Sequence, residues 1–311
     1  MAGFDDMDVD TIWMSGEYVD WEDATVHVLT HSLHYGSGVF EGARAYDTQE
    51  GTAIFRWDAH LDRLFNSAKP YDHEIPFTRE ELTEATLELI RRNELDSAYI
   101  RPIVYYGYNY LGVSPGDCPT EVSIAVWPWG AYLGEEAQEK GVDVKVSSWR
   151  KYASSQMPTN AKTTGTYVNS LLAGEEARKH GYTEAIVLNK EGNVAEGPGE
   201  NLFLVRDGEI FTPGLSESIL DGITRDTVIE LARERGYSVY DKGSMSRGEL
   251  YNADELFFTG SAAEVTPIRK VDNVTIGDGS RGPVTEELQT AFFDLVERRT
   301  DEHEEWFTYV Y

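Results

Sequence analysis

The chain has 311 residues, 55 of them acidic and 27 basic, for a formal net charge of −28. A surface of that sign repels phosphate backbones and anionic bilayers, which excludes nucleic acid and membranes as partners. Apolar residues make up 41% and aromatics 12%, enough for a sizeable core, and the length suits two domains.

The charge is far beyond the roughly 2–8 of an ordinary small domain. Nine of the 27 bases are lysine. Evenly spread acids with few lysines read as a surface adapted to a high-salt cytoplasm; the plainer alternative is acidity for solubility alone. A single cysteine, Cys118, rules out an intramolecular disulfide and a cysteine-based metal cluster. The acidic start, Met1 to Asp6, lacks the basic-then-apolar layout of a signal peptide, and there is no run of about eighteen apolar residues. A cytoplasmic location follows as the expectation.

In chain order, residues 12–18 and 24–28 read as short strands behind a frayed acidic start. Residues 58–68 have helical spacing, with Arg63 on that helix. Residues 78–93 form a clearer one: Thr78 and Glu81 make a capping box, and Leu82, Ala85, Leu89 and Ile90 an apolar stripe. Residues 98–107 and 121–127 are strands, and the Pro- and Gly-punctuated stretch 128–136 is the domain boundary. This gives a smaller N-terminal domain over 1–127 and a larger, cofactor-binding one over 137–311. The second half opens on strand 142–146. A polar loop then carries Lys162, and a helix from about 168 closes at Gly181. Strands follow at 185–188, 201–205 and 209–212, the last two joined by the hairpin signal Asp207-Gly208. Residues 223–235 are a helix, 255–259 a strand, and 285–298 the final helix.

Lys162 lies in a neutral, hydroxyl-rich loop, PTNAKTTGTY. A lysine kept from water loses its proton more easily, and its free amine can attack a carbonyl; the plainer reading is a solvated loop lysine. EGPGEN, residues 196–201, places acids in a Gly-rich turn, where a carboxylate can face a protonated pyridine nitrogen or simply close a β-turn. The helix opening at LDGIT, 220–224, and the turn GSAA, 260–263, can each present backbone N–H groups to a phosphate, with Arg63 as counter-charge. Tyr99 and Arg101 project from one face of a strand and can take a carboxylate, or form an edge salt bridge. The seven histidines show no ligand spacing, so no metal is expected.

Taken in order, HSLHYGSGVFEGARAY (31–46), SAYIRP (97–102), PWGAYLG (128–134), EGPGENLF (196–203), GITRD (222–226) and GSAAE (260–264) resemble the branched-chain amino-acid aminotransferases. The resemblance runs from about Trp13 to Val296. It implies an α+β chain of two domains, each a mixed sheet with helices, in the fold-type IV (D-amino-acid aminotransferase-like) arrangement. The implied cofactor is pyridoxal 5'-phosphate. Lys162 matches the Schiff-base lysine that also moves the proton between Cα and C4′. Glu196 matches the acid at the pyridine nitrogen and Tyr167 the phenol beside O3′, while Arg63, Gly222, Ile223, Thr224 and Ser261 match the phosphate cradle. Tyr99, with Ser261 and Ala262, matches the α-carboxylate site. Phe40, Trp129 and Tyr132 match the wall of the side-chain pocket. Arg101 and Tyr35 match the groups for glutamate's second carboxylate, Tyr35 coming from a neighbouring subunit of a homodimer or a larger assembly of dimers. Substrates are then branched-chain amino acids and 2-oxo acids. Two departures stand out: Thr163 and Thr164 follow the lysine where compared members have small residues, and Ser261 replaces a threonine while keeping its hydroxyl and N–H.

A D-amino-acid aminotransferase or an aminodeoxychorismate lyase would share the lysine and cradle; Tyr99-x-Arg101 and the Gly260 motif argue against both. A non-enzymatic acidic binding protein would need clustered acids, and these are scattered.

Overall fold

A computed structural model describes residues 9–130 and 132–311; the first eight residues of the acidic start, and Ala131, lie outside the described residues. The chain forms two units. One takes residues up to Trp129 together with Ala161–Gly165 and Leu295–Tyr311; the other takes Gly130–Asn160 and Thr166–Asp294. Neither is a single uninterrupted stretch.

Unit 1 contains β1 (Thr11–Met14), β2 (Glu17–Asp20), α1 (His31–Tyr35), β3 (Val39–Phe40), β4 (Ala43–Thr48), β5 (Gly51–Phe55), α2 (Trp57–Ala68), α3 (Arg79–Arg92), β6 (Ala98–Tyr106) and β7 (Thr120–Trp127). A C-terminal strand, Phe307–Tyr309, lies along β5, and the sheet continues β5-β4-β6-β7-β1-β2, with β3 also on β6. The capping box of α3 is present: the Glu81 N–H donates to Thr78 Oγ1 at 3.1 Å and the Thr78 N–H to Glu81 Oε2 at 2.7 Å. Such a cap contributes about 1 kcal/mol. Leu82, Leu89 and Ile90 are fully buried beneath it.

Two expectations need correction here. The strand expected over 12–18 is a hairpin, because Ser15 and Gly16 both take positive φ and fold β2 back onto β1. Residues 24–28 form no strand: Val26 and Val28 stay exposed and pair with no neighbouring strand. The β4–β5 hairpin and the C-terminal strand were not assigned from the sequence, because their short segments lack a clean alternation.

Unit 2 contains α4 (Glu135–Lys140), β8 (Val142–Arg150), α5 (Tyr167–Lys179), β9 (Glu184–Leu188), β10 (Val194–Glu196), β11 (Asn201–Arg206), β12 (Glu209–Pro213), α6 (Ile223–Glu234), β13 (Val239–Lys242), α7 (Arg247–Leu250), β14 (Glu255–Gly260), β15 (Glu264–Val271), β16 (Val274–Thr275) and α8 (Pro283–Val296). Its sheet runs β10-β9-β8-β15-β14-β11-β12-β13, with β16 on β15. The β8–β9, β8–β15 and β12–β13 pairs are parallel and the rest antiparallel. Val144, Leu202, Leu204, Phe258 and Ile268 lie in the core of one face. Helix α5 ends as its glycine dictates: the Gly181 N–H reaches Arg178 O and the Tyr182 N–H reaches Ala177 O, both at 3.1 Å, with Gly181 in the left-handed region.

One buried pair in unit 2 is electrostatically unusual. Glu184 and Glu200 are both buried, and loss of hydration, followed by the charge of Glu200, pushes the Glu184 carboxyl up. It therefore favours the fold in its protonated form, and that contribution fades as pH rises through the raised value. Among the described residues, no helix is long and apolar enough to cross a membrane.

Candidate active site

The loop holding Lys162 is tied to unit 1 through its backbone. The Lys162 N–H donates to Ser67 Oγ at 3.0 Å, and its carbonyl accepts from the Phe40 N–H at 3.0 Å. Val39 and Thr163 form an antiparallel bridge, and the Thr164 N–H donates to Gly38 O at 2.8 Å. A polar loop thus acquires strand-like order by borrowing the edge of β3. The amine itself lies 5.2 Å from the centre of the Phe40 ring.

Around it stand Arg63 and His60 from α2, Glu41 from the turn after β3, and Tyr99 and Arg101 from β6. Glu41 has no solvent exposure. It accepts Arg63 Nε at 2.6 Å and Arg63 Nη2 at 2.9 Å, His60 Nδ1 at 2.7 Å and the Gly42 N–H at 3.2 Å. Burial alone would raise this carboxyl, but the Arg63 charge and the hydrogen bonds from Arg63 and His60 hold it well below the usual range. Lys162 moves the other way. Lost hydration, then the Arg63 cation, bring its amine from 10.5 down to about 8, against the opposing pull of Glu41.

Tyr99 is buried against Trp127 at 5.1 Å and, edge-on, against Trp129 at 4.5 Å. Its phenol fits because residue 42 is glycine: a Cβ there would stand 2.0 Å from Tyr99 Oη. Arg101 Nη2 donates to Tyr99 Oη at 3.3 Å, and its guanidinium lies 4.9 Å from Phe40 and 5.8 Å from Trp127. Arg101 Nε is buried with no hydrogen-bond partner among the described residues, the mark of a cation arranged for an anion rather than for an internal salt bridge. Tyr35, by contrast, is exposed on α1 and rests against His31 at 4.6 Å.

Unit 2 supplies its own cluster. Glu196, at the end of β10, is buried in an ion pair with Lys151. Its Oε2 also accepts the Leu220 N–H at 2.9 Å and Asn201 Nδ2 at 3.1 Å. Asn201 Nδ2 also donates to Leu220 O at 2.9 Å, tying the EGPGEN turn to the segment that opens α6. Gly222 caps α6, and a Cβ at that position would meet Asn201 Oδ1 at 1.9 Å. Ile223 and Thr224 form the buried first turn of this helix. Ser261 and Ala262 lie in the turn between β14 and β15, Tyr167 opens α5, and Tyr132 is half-buried just before α4.

The model for the family described as amino-transferase class IV matches residues 38–271. The chain belongs to that family. A branched-chain-amino-acid aminotransferase of Pseudomonas aeruginosa is 54% identical over 299 residues, 96% of this chain and 97% of the relative. The crystal structure of the Escherichia coli branched-chain amino acid aminotransferase aligns with a TM-score of 0.95 at 50% identity, covering 97% of this chain and all of that one. The branched-chain amino acid aminotransferase of Thermobaculum terrenum, in its PLP-bound holo form, aligns at 0.91 and 36%, covering 98% and 99%. This class IV aminotransferase has the two-domain α+β fold of those neighbours.

Lys162, Tyr99, Arg101 and Glu196, singled out in the sequence, each lie in one of these two clusters. Glu41, Lys151, Asn201 and Trp127, which touch them or their partners, are not singled out there. Three of them sat inside or beside the motifs FEGARAY, EGPGEN and PWG, so the signal was in the text but each role depends on a tertiary partner. Lys151 carried no local signal at all.

An amine attacks carbonyls only without its proton. Labelling of Lys162 by reductive methylation in the cofactor-free protein should therefore rise with pH through about 8 and level off above it. An exposed lysine would keep rising to about 10.4. A Lys162 midpoint at that ordinary value would show that the amine is hydrated.

Proposed function

We propose that this chain exchanges the amino group between branched-chain L-amino acids and 2-oxoglutarate, alternating two half-reactions on pyridoxal 5'-phosphate. The observation that carries it is the desolvated Lys162 amine among Phe40, Tyr99 and a partly unsatisfied Arg101, in a chain matched almost end to end by branched-chain aminotransferases. The residues suit the cofactor: a low-pKa amine for its aldehyde, a buried carboxylate for its ring nitrogen, and a glycine-capped helix start and the Arg63 cation for its phosphate. Bound there, it supplies an electron-withdrawing ring that acidifies the α-proton of an attached amino acid and stores the amino group between half-reactions.

Lys162 would hold the cofactor and, as a free amine, would move the proton to and from the substrate's Cα. A folded value near 8 suits an amine that must both take and return a proton near neutrality. Glu196 would stabilise charge on the ring nitrogen, held in place by Lys151 and Asn201. Tyr167 would hydrogen-bond O3′. Arg63 and the N–H groups of Ile223, Thr224 and Ser261 are the groups that would hold the phosphate, with Gly222 leaving the helix start without a side chain. Tyr99 and the N–H groups of Ser261 and Ala262 orient the α-carboxylate, while Phe40, Trp129 and Tyr132 wall the aliphatic pocket. Arg101, stacked among aromatic rings when the substrate is apolar, turns to glutamate's second carboxylate with Tyr35 of a neighbouring subunit. The working form is thus a homodimer or an assembly of dimers. The location is the cytoplasm, and the acidic surface reflects high salt.

Borohydride reduction of the loaded protein should fix the cofactor on Lys162, located by peptide mapping; label on another residue, or a coloured and active Lys162→Ala variant, would sink the assignment. Arg101→Leu should slow the glutamate half-reaction at least about tenfold more than the leucine one, because a charge-assisted hydrogen bond is worth about 1.5–3 kcal/mol. Equal losses would make Arg101 structural. The surface charge predicts that unfolding midpoints rise between 0.1 M and molar potassium chloride, as the screening length falls from about 10 to about 3 Å. An equiosmolar neutral osmolyte separates screening from strengthened apolar burial, and a flat or falling midpoint would refute salt adaptation.

A further inference from the structure

Unit 1 places two cations, Arg63 and Lys162, in one poorly hydrated region, and a carboxylate with no solvent exposure stands between their demands. We propose that Glu41 is a positioning residue for the reactive lysine: by neutralising Arg63 and fixing its fork, it sets how readily Lys162 holds a proton and where Arg63 points. This rests on Lys162 being the reactive amine, as proposed above.

The geometry supports the assignment in three ways. First, both donors on one edge of the Arg63 guanidinium, Nε and Nη2, go to Glu41, so the plane of the fork is fixed and its Nη1 end faces away from the carboxylate. Second, the Oε2 atom is shared by Arg63, His60 and the Gly42 N–H. His60 is itself lowered by burial against the pull of Glu41, so it enters as a neutral donor. The cluster is thus one negative and one positive charge, with Lys162 as the group left to titrate. Third, Glu41 is flanked in sequence by Phe40, which faces the amine and Arg101, and by Gly42, which admits the Tyr99 phenol. A shift of this one turn would move three parts of the site together.

A buried ion pair is weak support for stability as such, because desolvation offsets most of the Coulombic gain. Its effect on a neighbouring amine is a different matter. Among the groups that act on Lys162, Arg63 and Arg101 lower it and Glu41 and Tyr99 raise it; His60, itself lowered by burial, stands in the same cluster. Removing Glu41 takes a negative charge away from Arg63 and Lys162, and the amine should give up its proton at lower pH. Removing Arg63 should do the reverse, and removing both should nearly cancel.

The test uses the full-length, cofactor-free protein and reads the pH midpoint of Lys162 methylation. Glu41→Gln should lower the midpoint, and Arg63→Gln raise it, each by about one unit or more for a charge within a few ångströms. The double variant should return close to the wild-type value. A second readout is the preference for pyridoxal 5'-phosphate over pyridoxal in equilibrium binding, which should shrink about tenfold in Glu41→Gln as the fork loses its orientation. A wild-type midpoint in Glu41→Gln overturns the proposal. If that variant fails to fold, the double variant, which removes both members of the buried pair, decides the matter: a midpoint equal to that of Arg63→Gln alone means Glu41 exerts no influence. The borohydride trapping on wild-type protein tests the identity of the lysine separately, so the two failures are distinguishable.

Discussion

Five residues, Ala161–Gly165, leave the run of their own half of the chain and join the sheet-bearing unit built from the N-terminal half. Four backbone hydrogen bonds hold them there: Lys162 to Ser67, Phe40 to Lys162, Thr164 to Gly38 and Gly165 to Gly36. Everything distinctive about Lys162 depends on that attachment. It brings the amine to the Phe40 ring and sets it beside the Glu41–Arg63 pair, where reduced hydration and the Arg63 cation lower its proton affinity. A side-chain contact could be lost and remade, but a loop tied through its main chain delivers the same amine position each time, which covalent chemistry requires.

Much of this was legible in the residues, for identifiable reasons. The capping box at Thr78 and the glycine stop at 181 are local devices, written within four residues of where they act, and both are present. The face shared by Tyr99 and Arg101 follows from strand alternation, and the hydrogen bond between them bears it out. What could not be read depends on partners far away in sequence. Glu41 is an acid between Phe and Gly until Arg63 and His60 arrive from the next helix. Lys151 is a loop lysine until Glu196 meets it across 45 residues. The failed strand at 24–28 has the same origin: β-propensity alone does not make a strand when no neighbour is there to pair with it.

Charge is used in opposite ways outside and within. The surface carries most of an excess of 28 negative charges, whereas the functional clusters gather scarce cations: Arg63, Arg101 and Lys162 in one unit, Lys151 in the other. Each buried acid at these clusters has a defined cationic partner, Glu41 with Arg63 and Glu196 with Lys151. Carboxylates scattered on the surface need only water, so salt can act on them while leaving the paired interior nearly untouched.

The depressed proton affinity of Lys162 also bears on the life of the newly made polypeptide. In an unfolded chain the amine has its ordinary affinity, and roughly three in ten thousand copies are free at pH 7. Once folded, with the value at about 8, roughly one in ten is free. Folding therefore raises the share of this amine able to attack a carbonyl, and only after residue 162 has been synthesised and has docked against residues made about a hundred positions earlier. The nucleophile appears together with the architecture that controls it.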